Sequence, residues 1–202
     1  MHSTLFLGDS YTIGEGLPLA GSYPYQTIQL LRRGGYPFYA PEIIARTGWT
    51  TDELLAATGQ TTLLPSYSFV VLLIGVNNQY RGRDSRDYAR EFTQLLRLAL
   101  QLAGSPQRVF VLSIPDWGVS PFAAGRDRQP IAKAIDDYNA VAHTITGKEA
   151  ATFIDITTHS RTTGADPAAF TADGLHPARM TCAYWAKELR DHLVLRLQAD
   201  QP

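Results

Sequence analysis

Two stretches of this chain are apolar almost without a break. One is Ser68-Phe69-Val70-Val71-Leu72-Leu73-Ile74; the other is Arg108-Val109-Phe110-Val111-Leu112-Ser113-Ile114, which stops at Pro115. A strand with one wet face alternates polar and apolar residues, so a run without alternation reads as a strand covered on both faces. Leu5-Phe6-Leu7 is a shorter run of the same kind, ending at Gly8, and Thr152-Phe153-Ile154-Asp155-Ile156 is a weaker one. Tyr39 to Ala45 is a candidate second strand, with Pro41 suited to an end or edge. Stretches of helical period lie between. Tyr25 to Leu31 precedes Gly34-Gly35; Tyr88, Phe92, Leu95, Leu96, Ala99 and Leu102 form one face before Gly104. Ile131, Ile135, Tyr138, Ala142 and Ile145 form a second stripe, closed by Gly147, and Ala186, Leu189, Leu193 and Leu197 a last one after Pro177. Strands alternating with helices imply right-handed crossovers. The expected class is therefore α/β, with a parallel sheet of about five strands covered on both faces.

Composition narrows the function. At 202 residues the chain fits one domain, taken as 1–202. Its 18 Lys and Arg balance 19 Asp and Glu, which argues against nucleic acid as a partner. A single cysteine, Cys182, excludes an internal disulfide framework and a multi-cysteine zinc site. No stretch reaches the roughly 18 to 20 apolar residues of a membrane span. The start has no basic region and too short an apolar run for a signal peptide, so the expected location is the cytoplasm. Sequence leaves the oligomeric state undetermined.

In a sheet of this kind, ligands gather at the carboxyl ends of the strands. Gly8-Asp9-Ser10-Tyr11 follows the first strand, Arg46-Thr47-Gly48-Trp49 the candidate second, and Gly75-Val76-Asn77-Asn78 the third. Asp173-Gly174-Leu175-His176-Pro177 precedes the last helix. A hydroxyl, a carboxamide, a glycine and an Asp/His pair are thus brought toward one rim. Nucleophilic acyl transfer needs such a set: a base to take the serine proton, a carboxylate to fix the imidazole, and N–H donors for the oxyanion. Each piece has a plainer reading. Gly8-Asp9-Ser10 can be a turn with a helix cap, Asp173 to Pro177 a turn feeding a helix, and Asn77-Asn78 a cap or loop pair. Order, spacing and common placement favour the catalytic one.

These blocks resemble the SGNH hydrolase, or GDSL esterase/lipase, superfamily. The resemblance runs from Gly8 to His176 in the family's order, with Tyr11 where leucine is frequent and Asn78 where aspartate is usual. It implies a flavodoxin-like three-layer α/β/α sandwich without metal or organic cofactor. Carried over by position, it implies Ser10 as nucleophile, His176 as base and Asp173 as its partner. It also implies Ser10, Gly48 and Asn77 as oxyanion donors. The chain has no Gly-x-Ser-x-Gly, which argues against an ordinary α/β-hydrolase. The expectation is a serine esterase acting through an acyl-enzyme on a small or short-acyl ester, O-acylated sugars included. The rivals are a flavodoxin-like phosphate or flavin binder, which leaves Asp173 and His176 without a role, and an inactive relative used for binding.

Four aromatics follow strand ends: Trp49, Tyr80, Trp117 and Phe122. They read equally as core or as a pocket wall. The segment from Pro115 to Gln129 is long for a connection and reads as a lid or specificity loop. Arg81, Arg83, Arg126 and Arg128 are surface charges or contacts for an anionic group. His2, His143 and His192 read as solvated or packed, and His159 as part of a polar loop with Arg161. Cys182 reads as a small buried hydrophobe, not a nucleophile.

Overall fold

A computed structural model describes residues 1–200 of the chain. Five strands form one parallel sheet in the order β2-β1-β3-β4-β5: β1 Thr4–Gly8, β2 Glu42–Ala45, β3 Phe69–Leu73, β4 Val109–Leu112 and β5 Thr152–Ile154. In register, Thr4 to Gly8 of β1 face Phe69 to Leu73 of β3, and Leu5 to Gly8 face Glu42 to Ala45 of β2. Every residue of β1, β3 and β4 is buried, as their unalternated sequences require.

The step from β1 to β2 runs one way across the sheet, and every later step runs the other way. Right-handed crossovers therefore place α2 (Tyr23–Arg33) on one face, and α3 (Thr51–Gln60), α5 (Ser85–Ala103) and α6 (Arg128–Lys148) on the other. The last helix, α8 (Arg179–Ala199), packs beside α2, while α5 lies on β3 and β4 between α3 and α6. The result is the expected three-layer α/β/α sandwich.

Several elements differ from expectation. The second strand is only Glu42–Ala45, so Pro41 falls just outside it, and Phe38 makes an isolated bridge to His2. Three helices had no apolar period to announce them: α3, α4 (Val76–Tyr80) and α7 (Thr157–Thr163). His159 and Arg161 therefore stand on a helix, not in a loop. Pro177 lies ahead of α8, which begins at Arg179, and α6 continues through Gly147 to Lys148.

Candidate active site

The direction of winding reverses between β1 and β3, which leaves a crevice beyond their carboxyl ends. Ser10 enters it as the first residue of α1 (Ser10–Ile13), which turns directly off β1. Asp9 caps that turn, its Oδ1 accepting from the Tyr11 N–H at 3.0 Å. Its other oxygen is buried, with no hydrogen-bond partner among the described residues. Burial pushes the Asp9 carboxyl up to about 7.

Asp173 and His176 are set by one local turn. Oδ1 of Asp173 accepts from the backbone N–H groups of Leu175 and His176, at 2.8 and 3.0 Å, and from the Thr171 hydroxyl at 2.8 Å. Oδ2 lies 2.6 Å from His176 Nδ1. Burial works to raise the Asp173 pKa, but the hydrogen bonds from the His176 ring, the two backbone amides and Thr171 outweigh it. They hold the carboxyl well below the usual carboxylate range. An ionised carboxylate only accepts, so Nδ1 is the donor, and the neutral ring keeps its lone pair on Nε2. The His176 ring also meets Tyr11 edge-on, at 5.9 Å between centroids.

Gly48 and Asn77 come from the ends of β2 and β3. Gly48 has φ +84, a left-handed conformation that glycine adopts without strain. Its carbonyl accepts from Arg81 Nη2 at 2.6 Å, while its N–H has no acceptor among the described residues. The Ser10 N–H is likewise unengaged. Asn77 Nδ2 donates to the Trp49 carbonyl at 3.0 Å, which fixes the amide and leaves a second N–H. Gly75 (φ +127) begins α4 where a Cβ would stand 2.7 Å from the Tyr88 ring. Asn78, in the position where aspartate is usual, is buried behind the site. Its Oδ1 accepts from the Thr51 N–H at 3.0 Å, and its Nδ2 donates to Thr51 Oγ1 at 2.7 Å. The amide therefore ties α4 to the start of α3, next to Gly48.

Ser10, Gly48, Asn77 and His176 line one open cleft of about 190 Å³, together with Tyr11, Thr47, Val76, Tyr80, Trp117, Phe122 and Leu175. That is small beside the roughly 300–1,000 Å³ of ordinary ligand pockets, and it suits a small group. Tyr80 and Trp117 meet edge-on at 5.3 Å, and Trp117 Nε1 donates to Gln79 Oε1 at 2.8 Å. Trp49 is not among the lining residues. Its side chain packs half-buried against the core, and its carbonyl is what reaches the site. In the segment after Pro115, residues 116–120 are packed against the body, while Pro121, Phe122 and residues 124–129 are exposed. Asp116 pairs with Arg161 at 2.9 Å, and the Phe122 N–H donates to the Gly174 carbonyl at 3.0 Å, beside His176. Thr47, Tyr11, Val76 and Leu175 had no sequence signal of their own; adjacency to motif residues was the only cue.

The remaining candidates lie elsewhere. His159 stacks on Tyr184 at 3.7 Å, and Cys182 is buried, its thiol pushed up to about 12 by that burial. Among the described residues, no group of three or more His, Cys, Asp or Glu is placed to hold a metal ion, and no helix is long and apolar enough to cross a membrane.

Residues 6–179 match the GDSL-like Lipase/Acylhydrolase family. Solved structures of similar fold include TesA, with TM-score 0.75 and 19% identity over 95% of this chain and 97% of that one. The lipase/acylhydrolase from Enterococcus faecalis gives 0.75 and 18% over 97% of both chains. Axe2, an acetylxylan esterase from Geobacillus stearothermophilus, gives 0.75 and 18% over 95% and 94%. No curated protein sequence matches the chain.

Proposed function

This chain belongs to the GDSL-like lipase/acylhydrolase family, hydrolases of ester bonds, and on that premise we propose that it is a serine esterase working through an acyl-enzyme on Ser10. The observation that carries the reading is the Asp173–His176 pair. It fixes the ring with Nδ1–H toward the carboxylate, while His176 lines the same cleft as Ser10. Nε2 takes the Ser10 proton as Oγ bonds to the ester carbonyl carbon. The negative charge on the carbonyl oxygen is met by the Ser10 and Gly48 N–H groups and the free N–H of Asn77. The imidazolium, stabilised by Asp173, returns the proton to the leaving alcohol as the carbon–oxygen bond breaks. Water then repeats the sequence on the acyl-enzyme and regenerates Ser10.

The substrate is a small or short-acyl ester. The wall of Tyr80, Trp117 and Phe122 confines an acyl or sugar group, and acetylated carbohydrate is one such substrate, by analogy with the acetylxylan esterase of similar fold. Labelling with a fluorophosphonate, followed by mass spectrometry, tests the nucleophile; the expected adduct lies on Ser10 and is absent from Ser10→Ala. Hydrolysis of an ester panel graded by acyl length, with sugar acetates included, tests the substrate. An adduct elsewhere, or rates rising steadily to long chains, would overturn the respective part.

A further inference from the structure

Arginines near the mouth of the cleft are not equivalent. Arg81 gives its guanidinium to Glu53 at 3.4 Å and to the Gly48 carbonyl at 2.6 Å, and Arg83 pairs with Asp52 at 2.7 Å. The Arg126 side chain makes no hydrogen bond or ion pair with any described residue. Its guanidinium instead lies over three aromatic rings, with Cζ at 6.0, 5.5 and 5.2 Å from the centroids of Tyr80, Trp117 and Phe122. These are the same three rings that wall the cleft of Ser10 and His176.

Ring faces attract a cation without consuming its in-plane N–H groups. The exposed fork is thus held over the wall while its donors stay free for a planar acceptor. The neighbouring carboxylate Asp127 is occupied in capping α6, accepting from the Gln129 N–H at 3.1 Å. Among the described residues, no acidic residue lines the cleft; the carboxylates next to it are engaged, Glu15 by the Thr47 hydroxyl and Asp173 by the His176 ring.

We infer that Arg126 is a specificity-determining residue, which selects esters carrying a carboxylate on the part that lies along the Tyr80–Trp117–Phe122 wall. The inference rests on the esterase reading and narrows its substrate class. Because the rings already restrain the guanidinium, less side-chain freedom is lost on binding.

The test uses two esters of one reporter alcohol, matched in shape, one ending in a carboxylate and the other in the corresponding carboxamide. The full-length enzyme is expected to favour the carboxylate in kcat/KM, through KM, and to lose that preference as salt is raised. Arg126→Gln is expected to cut the preference roughly tenfold, the lower end for charge-assisted hydrogen bonds at an exposed site. Arg126→Lys keeps the charge but not the fork, and is expected to retain part of the preference. Equal treatment of the two esters by the wild-type enzyme would overturn the inference. So would an Arg126→Gln enzyme in which both rates fall by the same factor, since that marks mere support of the wall. Hydrolysis of neither ester, with Ser10 unlabelled, would remove the esterase reading and this inference with it.

Discussion

Asp173 performs two tasks through separate oxygens, and Asp173→Asn separates them. Oδ1 holds the turn through the Leu175 and His176 amides and the Thr171 hydroxyl, whereas Oδ2 alone faces His176 Nδ1. An asparagine keeps an oxygen in the first place and puts an NH₂ in the second. The imidazole must then offer Nδ1 as acceptor and carry its proton on Nε2, the atom that should take the proton from Ser10. In a buried triad of another fold this exchange costs about 10⁴ in kcat. Here the Asp173 side chain is 44% exposed, against 12% for His176, so water supplies part of the lost acceptor. Screening lowers the expected loss to roughly 10³ in kcat, with KM little changed. Steady-state kinetics on a short-chain ester, paired with thermal melts, is the assay. The melting temperature should barely move, because the three bonds to Oδ1 survive. Asp173→Ala, which loses those bonds as well, should lower it in addition to kcat. A variant Asp173→Asn that keeps more than about a tenth of wild-type kcat would refute the tautomer argument.

Asn77→Ala removes one of the three proposed oxyanion donors and frees the Trp49 carbonyl; kcat should fall by about 10² to 10³ in steady-state assays, with KM nearly constant. Asp9→Asn tests the buried carboxyl. A pKa raised from 3.8 to about 7 means that the protonated form favours the fold, fully below pH 3.8 and less and less as pH rises through 7. The amide should therefore raise the calorimetric melting temperature at pH 8 and change it little at pH 4. A drop at pH 8 would contradict the burial argument. Asn78→Ala strands the buried Thr51 N–H and should cost about 1–3 kcal/mol in urea unfolding; an unchanged midpoint would show that the α3–α4 tie adds nothing.

The buried sheet was readable because β1, β3 and β4 are apolar without alternation, the mark of strands covered on both faces; their pairing register was not, since a one-residue slip leaves the same apolar pattern. The Asp173–His176 turn was readable because its hydrogen bonds are local. Helix α7 was not: the side chains that it buries are Thr157 and Ser160, hydroxyls satisfied by Ser113, the Ile114 carbonyl and the Asp116 amide. Such a face has no hydrophobic period. Helix α3 buries only Leu54 among its large apolar residues, with Thr51 and Thr58 beside it. Missing α3 also hid Asp52 and Glu53, so Arg81 and Arg83 looked as free as Arg126. For Trp49, which reads equally as core or pocket wall, the sequence offers no choice for another reason. The sequence announces an indole, while the site uses the peptide carbonyl behind it, and backbone contacts leave no mark on residue type.

Packing α8 beside α2 has a consequence for how the chain acquires activity. Ser10 stands at the end of the first strand, and Asp173 and His176 stand just ahead of the last helix. On the proposed mechanism, neither end of the chain can turn over substrate alone. Local helices and the β3–β4 pairing form at small loop-closure cost, whereas joining Ser10 to His176 closes nearly the whole polypeptide. Returning ester hydrolysis during refolding therefore reports closure of that longest loop, and a chain stalled before α8 docks has a formed nucleophile turn and no turnover.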